Sequence, residues 1–327
     1  MLPNGIRISQ VHEWWRGQPL PQKCRMVAVG LVVILLGLGL LFLPEQPRGG
    51  ESGGRGLPDF SRYADGAARK DAFLSYLLPL VQAANGEIAR DRERLLQIRC
   101  ALARQRGPTA PAGEPAFSTD VSPKPLPEPA ALAALPMSGA DVRWLWGLAR
   151  DYALALPAEE ATAQTEERTA APPAEIDLGF IDQLLLRVDT LPPSLVLAQA
   201  AIESAWGTSR FARQGNNLFG LRSYDGRGLV PRRRAAGARF RVAIYASPRD
   251  SVRAYFQTLN TQPAYHRLWA LRAEARRSGQ PLSGLRLADG LSAYSERGEA
   301  YVRQVKALIR DNPLDRIEAS ESPQSAP

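Results

Sequence analysis

The stretch Pro192–Gly220 constrains this chain more than any other part of it. Pro192-Pro193-Ser194 reads as a helix opening, because proline is tolerated in the first turn and serine caps. From Leu195 to Trp206 the spacing is helical, with Ala198, Ala201, Ile202 and Ala205 forming one apolar face of small residues. Gly207 is the expected stop. Glu203 is the only acid in this otherwise apolar helix, one turn from its end. Burial beside apolar neighbours, Trp206 nearby and the negative end of the helix dipole would each raise its pKa. A carboxyl kept protonated near neutral pH is what a general acid requires. A lone Glu on an apolar helix is equally a plain solvent-facing residue, so this pattern alone leaves both readings open.

The 327 residues suffice for one or two domains, and 27 Pro and 27 Gly, unevenly spread, mark linkers. Residues 1–25 carry Arg7, Arg16, Lys23 and Arg25 with an aromatic pair, Trp14 and Trp15. Met26–Leu43 follows without a charge, and at 1.5 Å per residue it forms roughly 27 Å of helix, enough to span a bilayer. The positive-inside rule keeps the N-terminus in the cytoplasm and exports the rest. The alternative is a cleaved signal peptide, but no small-x-small site follows the apolar run. Residues 44–68 read as a flexible spacer, and 69–99 as a helical stalk of one or two helices with Phe73, Leu77, Val81, Ile88 and Leu95 inward. Residues 100–175 are a Pro/Ala-rich linker with a short amphipathic helix near 141–156, whose Trp144 and Trp146 read as packing residues. Residues 313–327 are expected to be a disordered tail. Two Cys, at 24 and 100, and two His exclude a disulfide framework, a His-rich metal site and a Cys-His nucleophile pair. No cofactor or metal is implied.

Glu203-Ser-Ala-Trp-Gly-Thr-Ser-Arg-Phe-Ala212, followed by Gly215-Asn-Asn-Leu-Phe-Gly-Leu221, closely resembles the glucosaminidases of glycoside hydrolase family 73, and within them the Bax-type bacterial proteins. The likeness covers about residues 176–312, with a weaker counterpart at 69–99. It implies a mainly α, lysozyme-like (α+β) catalytic domain with a small β-hairpin lobe, and a peptidoglycan hydrolase that cuts the glycan strand as an endo-β-N-acetylglucosaminidase. In this reading Glu203 is the acid. Asn217 and Phe219 lie at the spacing the family uses for the floor of its sugar groove, with Trp206, Tyr224 and Asp225 as further substrate-binding positions. Tyr294, in Tyr294-Ser-Glu-Arg-Gly-Glu-Ala-Tyr301, maps to the tyrosine that faces the catalytic Glu, while Tyr301 reads as a packing residue. Together with the apolar run at 26–43, read as an uncleaved single-pass anchor, the resemblance implies a bacterial inner-membrane protein with its N-terminus in the cytoplasm, its catalytic domain in the periplasm and cell-wall assembly proteins as possible partners.

One feature departs from the family. Residues 221–245 alternate as a hairpin, the lobe that in the family closes over the groove and usually supplies a second carboxylate. From Arg227 to Pro248 there is no Asp or Glu, and Ala235-Ala236 stands at the expected acidic position. Asp225 is the nearest acid, but Asp-Gly is foremost a turn signal, and Glu296 is a minor rival. The substrate's own N-acetyl group as internal nucleophile, or lytic transglycosylase chemistry with one Glu, would each dispense with that acid. The other class of function is a membrane-tethered peptidoglycan-binding protein with weak or no catalysis. Between Ile176 and Asp311 stand 21 Lys/Arg against 11 Asp/Glu. Such a basic surface ordinarily suggests nucleic acid, but export argues against it and favours an anionic wall polymer.

Overall fold

Twelve residues, Pro193–Ser204, form a helix with almost no wet side: every residue from Pro193 to Ala201 is buried, as is Ser204. A helix apolar on all sides has to be enclosed, and the rest of the fold encloses this one. The computed structural model describes residues 56–105, 124–125, 137–156, 176–232, 237 and 239–321. The proposed anchor at 26–43, most of both linkers and Ala235-Ala236 lie outside the described residues. Among the described residues no helix is long and apolar enough to cross a membrane.

The elements in chain order are α1 (Gly66–Gln105), β1 (Lys124–Pro125), α2 (Gly139–Asp151), β2 (Ala155–Leu156), α3 (Leu178–Arg187), α4 (Pro193–Ser204), α5 (Arg210–Gly215), β3 (Arg222–Ser223), β4 (Arg241–Val242), α6 (Pro248–Thr261), α7 (His266–Arg277), α8 (Gly284–Leu287), α9 (Glu299–Asp311) and α10 (Asp315–Glu321). The fold is mainly helical. Helices α1, α8, α9 and α10 pack on α4, while α3 and α6 pack on α1. β1 pairs in parallel with β2, and β3 pairs antiparallel with β4 in the register Arg222↔Val242. A single bridge, Leu229↔Val242, extends the second ladder, so the lobe expected over 221–245 is real but small. Its loops take most of the length that the alternation suggested for strands.

The structure adds to three sequence expectations. Residues 69–99, which the sequence leaves free to pack on the domain or stand apart, pack on it. They belong to one helix, α1, whose Phe73, Leu77, Val81, Ile88, Leu95, Ile98 and Leu102 are buried in the common core. Polar contacts lock it there. Asn85 Nδ2 donates to the Leu191 carbonyl at 2.8 Å and its Oδ1 accepts the Leu191 amide at 3.0 Å, and Arg99 Nε meets Asp182 at 2.6 Å. The spacer is ordered at its end: Phe60 is buried against Phe73, rings 5.4 Å apart. The tail after Asn312 is not featureless either, because Leu314 is buried and α10 follows. Within α10, Glu318 accepts the amide of Ser194 at 3.0 Å and the Ser194 hydroxyl. Glu318 therefore caps α4 from a distance. The N-cap position is Pro192, which has no side chain to do so, and Ser194 lies inside the first turn.

A buried charge cluster ties α1 to the domain. Asp189, 2% exposed, accepts from Arg276 Nη2 at 2.8 Å and lies 3.6 Å from Arg92 Nη1. Arg272, 1% exposed, donates to the Asp189 carbonyl at 3.0 Å and to Asn260 Oδ1 at 2.6 Å. Arg92 also donates to the Leu185 and Val188 carbonyls. Burial alone would raise the Asp189 pKa, but Arg92, Arg272 and Arg276 more than offset it and hold the carboxyl low. Burial pushes the Arg272 guanidinium down to about 10.

Two outcomes follow from this packing. Asp189→Ala leaves buried guanidinium groups uncompensated and should cost about 3–5 kcal/mol in urea unfolding at pH 7. The stability Asp189 confers is complete above its unfolded-state pKa and is lost as pH falls through the lowered folded value, so the difference from wild type should shrink as pH drops below the usual carboxylate range. A fragment of residues 176–312 should fail to give a cooperative thermal transition while residues 56–321 give one. Each lost core side chain of α1 is worth about 1.5–3 kcal/mol, and together they exceed a domain's net stability of about 5–15 kcal/mol.

Candidate active site

α4 ends at Ser204, two residues before the end read from the sequence. Ala205, Trp206 and Gly207 follow with φ of 51°, 57° and 77°, three successive left-handed residues. Such strain persists only where surrounding structure enforces it, and here it closes the helix directly after Glu203. Ser204 Oγ accepts the Gly207 amide at 2.8 Å and donates to the Ala200 carbonyl at 2.6 Å. A Cβ on Gly207 would run into the Phe60 ring, so glycine is required there.

The Glu203 carboxyl is half-buried, and its pKa is raised, chiefly by desolvation. Two groups work against that shift: a hydrogen bond from Tyr301 and the positive charge of Arg297. Tyr301 takes its own support from Gln199, whose Nε2 donates to the Tyr301 oxygen at 3.0 Å, while Tyr255 donates to Gln199 Oε1. The hydrogen bonds therefore run with one polarity from Tyr255 to Gln199 to Tyr301, and since the Tyr301 oxygen already accepts from an amide, its hydroxyl proton is left to act on Glu203, whose pKa it lowers. Burial raises the pKa of Tyr255, Tyr265, Tyr294 and Tyr301, Tyr265 to about 12, so these hydroxyls remain donors near neutrality. Beside the carboxylate lies Gly220, with φ of 67°, where an added Cβ would sit 3.3 Å from Glu203 Oε2. The glycine keeps the approach to the acid open.

The proposed site residues divide. Tyr294 lies in the same aromatic cluster, stacked on Tyr301 with centroids 5.5 Å apart, and Glu203 adds to the rise in its pKa. Its hydroxyl, however, donates to the Phe219 carbonyl at 2.8 Å. The tyrosine whose hydroxyl lowers the Glu203 pKa is Tyr301, a position that reads in the sequence as a packing residue. Asn217, 1% exposed, spends its amide on backbone: Nδ2 donates to the Leu221 and Ala243 carbonyls at 3.0 and 2.9 Å, and Oδ1 accepts the Leu221 amide at 3.1 Å. It shapes the loop around Gly220 instead of offering an amide to sugar. Phe219 is buried and stacked on Tyr255 at 4.1 Å, so its ring belongs to the core.

Trp206 packs edge-on to Phe73 at 5.9 Å, with Lys70 Nζ 5.2 Å from its ring centroid, and thus joins the loop after Glu203 to α1. Tyr224 is 75% exposed on the lobe. Asp225 accepts from the Ser223 hydroxyl and from the Arg227 amide at 2.9 Å, a turn-forming arrangement that lowers its pKa. Nothing in these contacts connects it to Glu203. Glu296 is exposed and lies 3.8 Å from Arg222 of β3, so the loop before α9 reaches the lobe through a surface ion pair. Among the described residues no group of three or more His, Cys, Asp or Glu is arranged to hold a metal ion.

Gln199 and Tyr301 were missed in the sequence. A signal for Gln199 existed, since it stands four residues before Glu203 and therefore on the same helix face. In titrations of the folded protein followed by carboxyl NMR, Tyr301→Phe should move the Glu203 transition to higher pH, because the bond it removes stabilises the carboxylate. Tyr294→Phe should leave that transition close to wild type.

Comparison with known proteins places this site in a family. Residues 182–314 match the Glucosaminidase family model, described as mannosyl-glycoprotein endo-beta-N-acetylglucosaminidase. Over 256 residues, 78% of this chain and 74% of the relative, the sequence is 29% identical to Protein bax of Escherichia coli (strain K12). A solved structure, the catalytic domain of the autolysin Auto from Listeria monocytogenes, aligns with 57% of this chain and 93% of its own at 18% identity and a TM-score of 0.30. The stretch matched by the Glucosaminidase model contains the Glu203–Gly220 motifs that carry the resemblance.

Proposed function

We propose that the glucosaminidase-family domain at 182–314, completed by α1, is a lysozyme-like peptidoglycan hydrolase that cleaves the glycan strand as an endo-β-N-acetylglucosaminidase. The observation that carries this reading is Glu203: a half-buried carboxyl with a raised pKa at the end of α4, beside Tyr301 and the open position at Gly220. In its protonated form Glu203 delivers a proton to the leaving glycosidic oxygen as positive charge develops at the sugar carbon. Tyr301 then stabilises the carboxylate that remains, and the charge of Arg297 acts in the same sense. Both effects act on the charged form, so they favour the product side of proton transfer.

A second carboxylate is not part of this proposal. Asp225 is engaged in its own turn, and Glu296 is exposed beside Arg222. The substrate's acetamido group serves as the internal nucleophile, an established exception to the two-carboxylate scheme. The surrounding hydroxyl of Tyr294, committed to the Phe219 carbonyl, holds the loop that positions Gly220. For the exported location, residues 26–43 anchor the chain in the bacterial inner membrane with this domain outside the cytoplasm. A reporter fused after residue 327 should then be active outside the cytoplasm, and activity confined to the cytoplasm would exclude the placement.

Glu203→Gln should reduce release of fragments from purified peptidoglycan by about 10²–10⁴-fold, the range of a general acid's contribution. The same substitution should raise the melting temperature at neutral pH. A carboxyl whose folded pKa is raised costs stability as pH climbs above its unfolded value, and the amide removes that cost. Loss of cleavage with gain of stability separates a catalytic role from a folding defect. Wild-type cleavage should decline as pH rises through the raised Glu203 pKa. Mass spectrometry of the fragments should find reducing N-acetylglucosamine ends; anhydro-muramyl ends would assign transglycosylase chemistry, and intact strands retained on the protein would assign a binding role.

A further inference from the structure

A cavity of about 710 Å³ opens between α5 and Pro231-Arg232, lined by Thr208, Arg210, Phe211, Arg213, Pro231 and Arg232 among others. Three of these side chains are guanidinium groups, and no acid lines the cavity among the described residues. Arg210 and Arg213 stand three apart on α5 and so share a face. Arg210 is fixed in place: it donates to the Val230 carbonyl at 2.6 Å and lies 4.7 Å over the Phe211 ring. The side chains of Arg213 and Arg232 donate no hydrogen bond to any described residue. Asp59 is near enough to Arg213 for its charge to be felt, yet its carboxylate is taken up by the amide and hydroxyl of Ser61. Phe211 and Pro231 supply apolar wall between the charges.

Guanidinium forks with open donors beside apolar wall fit a carboxylate carried on a short organic chain. On a peptidoglycan strand, such groups are the carboxylates of the stem peptides, separated by small alkyl side chains. We infer that this arginine-lined cavity is a subsite for a stem-peptide carboxylate of the strand held at Glu203. This rests on the proposed function and deepens it: cleavage prefers peptide-bearing over stripped glycan. Thr208 lines the cavity and stands five residues beyond Glu203, so both sites depend on the same strained turn.

The test uses the full chain with two substrates: peptide-bearing sacculi, and strands stripped by an amidase, which frees the lactyl carboxylates as it removes the peptides. Arg213→Ala/Arg232→Ala should lose roughly tenfold in kcat/KM on peptide-bearing material, through KM, because two charge-assisted bonds are removed. It should match wild type on stripped strands. Arg213→Lys/Arg232→Lys should recover part of the loss, and Arg249→Ala, an exposed arginine outside the cavity, should behave as wild type on both substrates. An equal loss on both substrates would transfer the contact to the glycan that the two share and overturn the peptide assignment. No loss on either, or the same loss with Arg249→Ala, would overturn the subsite itself. Should the wild type cleave neither substrate, the hydrolase reading fails, and sedimentation with sacculi decides the subsite separately. Retention weakened by the double Ala variant on peptide-bearing sacculi alone supports it, and unchanged retention overturns it.

Discussion

The structure depends on enclosing one helix. α4 has apolar or small side chains around its whole circumference, so no arrangement that leaves a side of it in water is stable. Enclosure takes four other helices from distant parts of the chain: α1 from one end, α9 and α10 from the other, and short α8 between. Because small residues such as Ala198 and Ala201 line it, its neighbours come close, and Gly284 meets Ser194 where any side chain would collide. The last turn is where the enclosure ends. Glu203 sits there, near enough to the core to be desolvated and near enough to the surface to meet a substrate.

Electrostatics completes what burial begins. α1 could slide along an apolar surface, since hydrophobic contact is non-directional. The Asp189 cluster prevents that by requiring Arg92 of α1, Arg272 and Arg276 of α7 and the carbonyls at the end of α3 to meet at one point. Glu318 does similar work at the other end of α4, where the amide of Ser194 would otherwise lack a partner. Both carboxyl groups are used for position, Asp189 fully buried and Glu318 half-buried. At Glu203 the hydroxyl of Tyr301 and the charge of Arg297 are what oppose desolvation.

The catalytic inference grows from that contrast. A carboxyl surrounded by cations, like Asp189, stays ionised and cannot supply a proton. A fully exposed one, like Asp225 in its turn, is likewise ionised at neutral pH. Partial burial instead raises the Glu203 pKa, and the hydrogen bonds from Tyr255 to Gln199 to Tyr301 hold in place the one hydroxyl that opposes the rise. The strained turn at Ala205–Gly207 ends α4 at once, so the helix does not cover the acid it presents.

Much of this was legible in the order of residues. The helix, its acid and the Gly215–Leu221 motif are local patterns, and local patterns follow from helical spacing, turn chemistry and the special freedom of glycine. The long apolar periodicity of 69–99 announced a helix for the same reason. What only the tertiary structure decided were the partnerships between segments far apart in sequence. Nothing in Tyr294-Ser-Glu-Arg-Gly-Glu-Ala-Tyr301 tells which tyrosine bonds Glu203, because both lie on one cluster and the choice turns on a hydroxyl that finds the Phe219 carbonyl first. Asn217 resembled a ligand-binding amide until the backbone around it claimed every donor and acceptor. Whether α1 stood apart or packed was likewise undetermined, since amphipathic spacing shows that a face is buried without showing against what. Local geometry is written residue by residue, but the identity of a buried partner is settled only by which groups are left to satisfy once the core has closed.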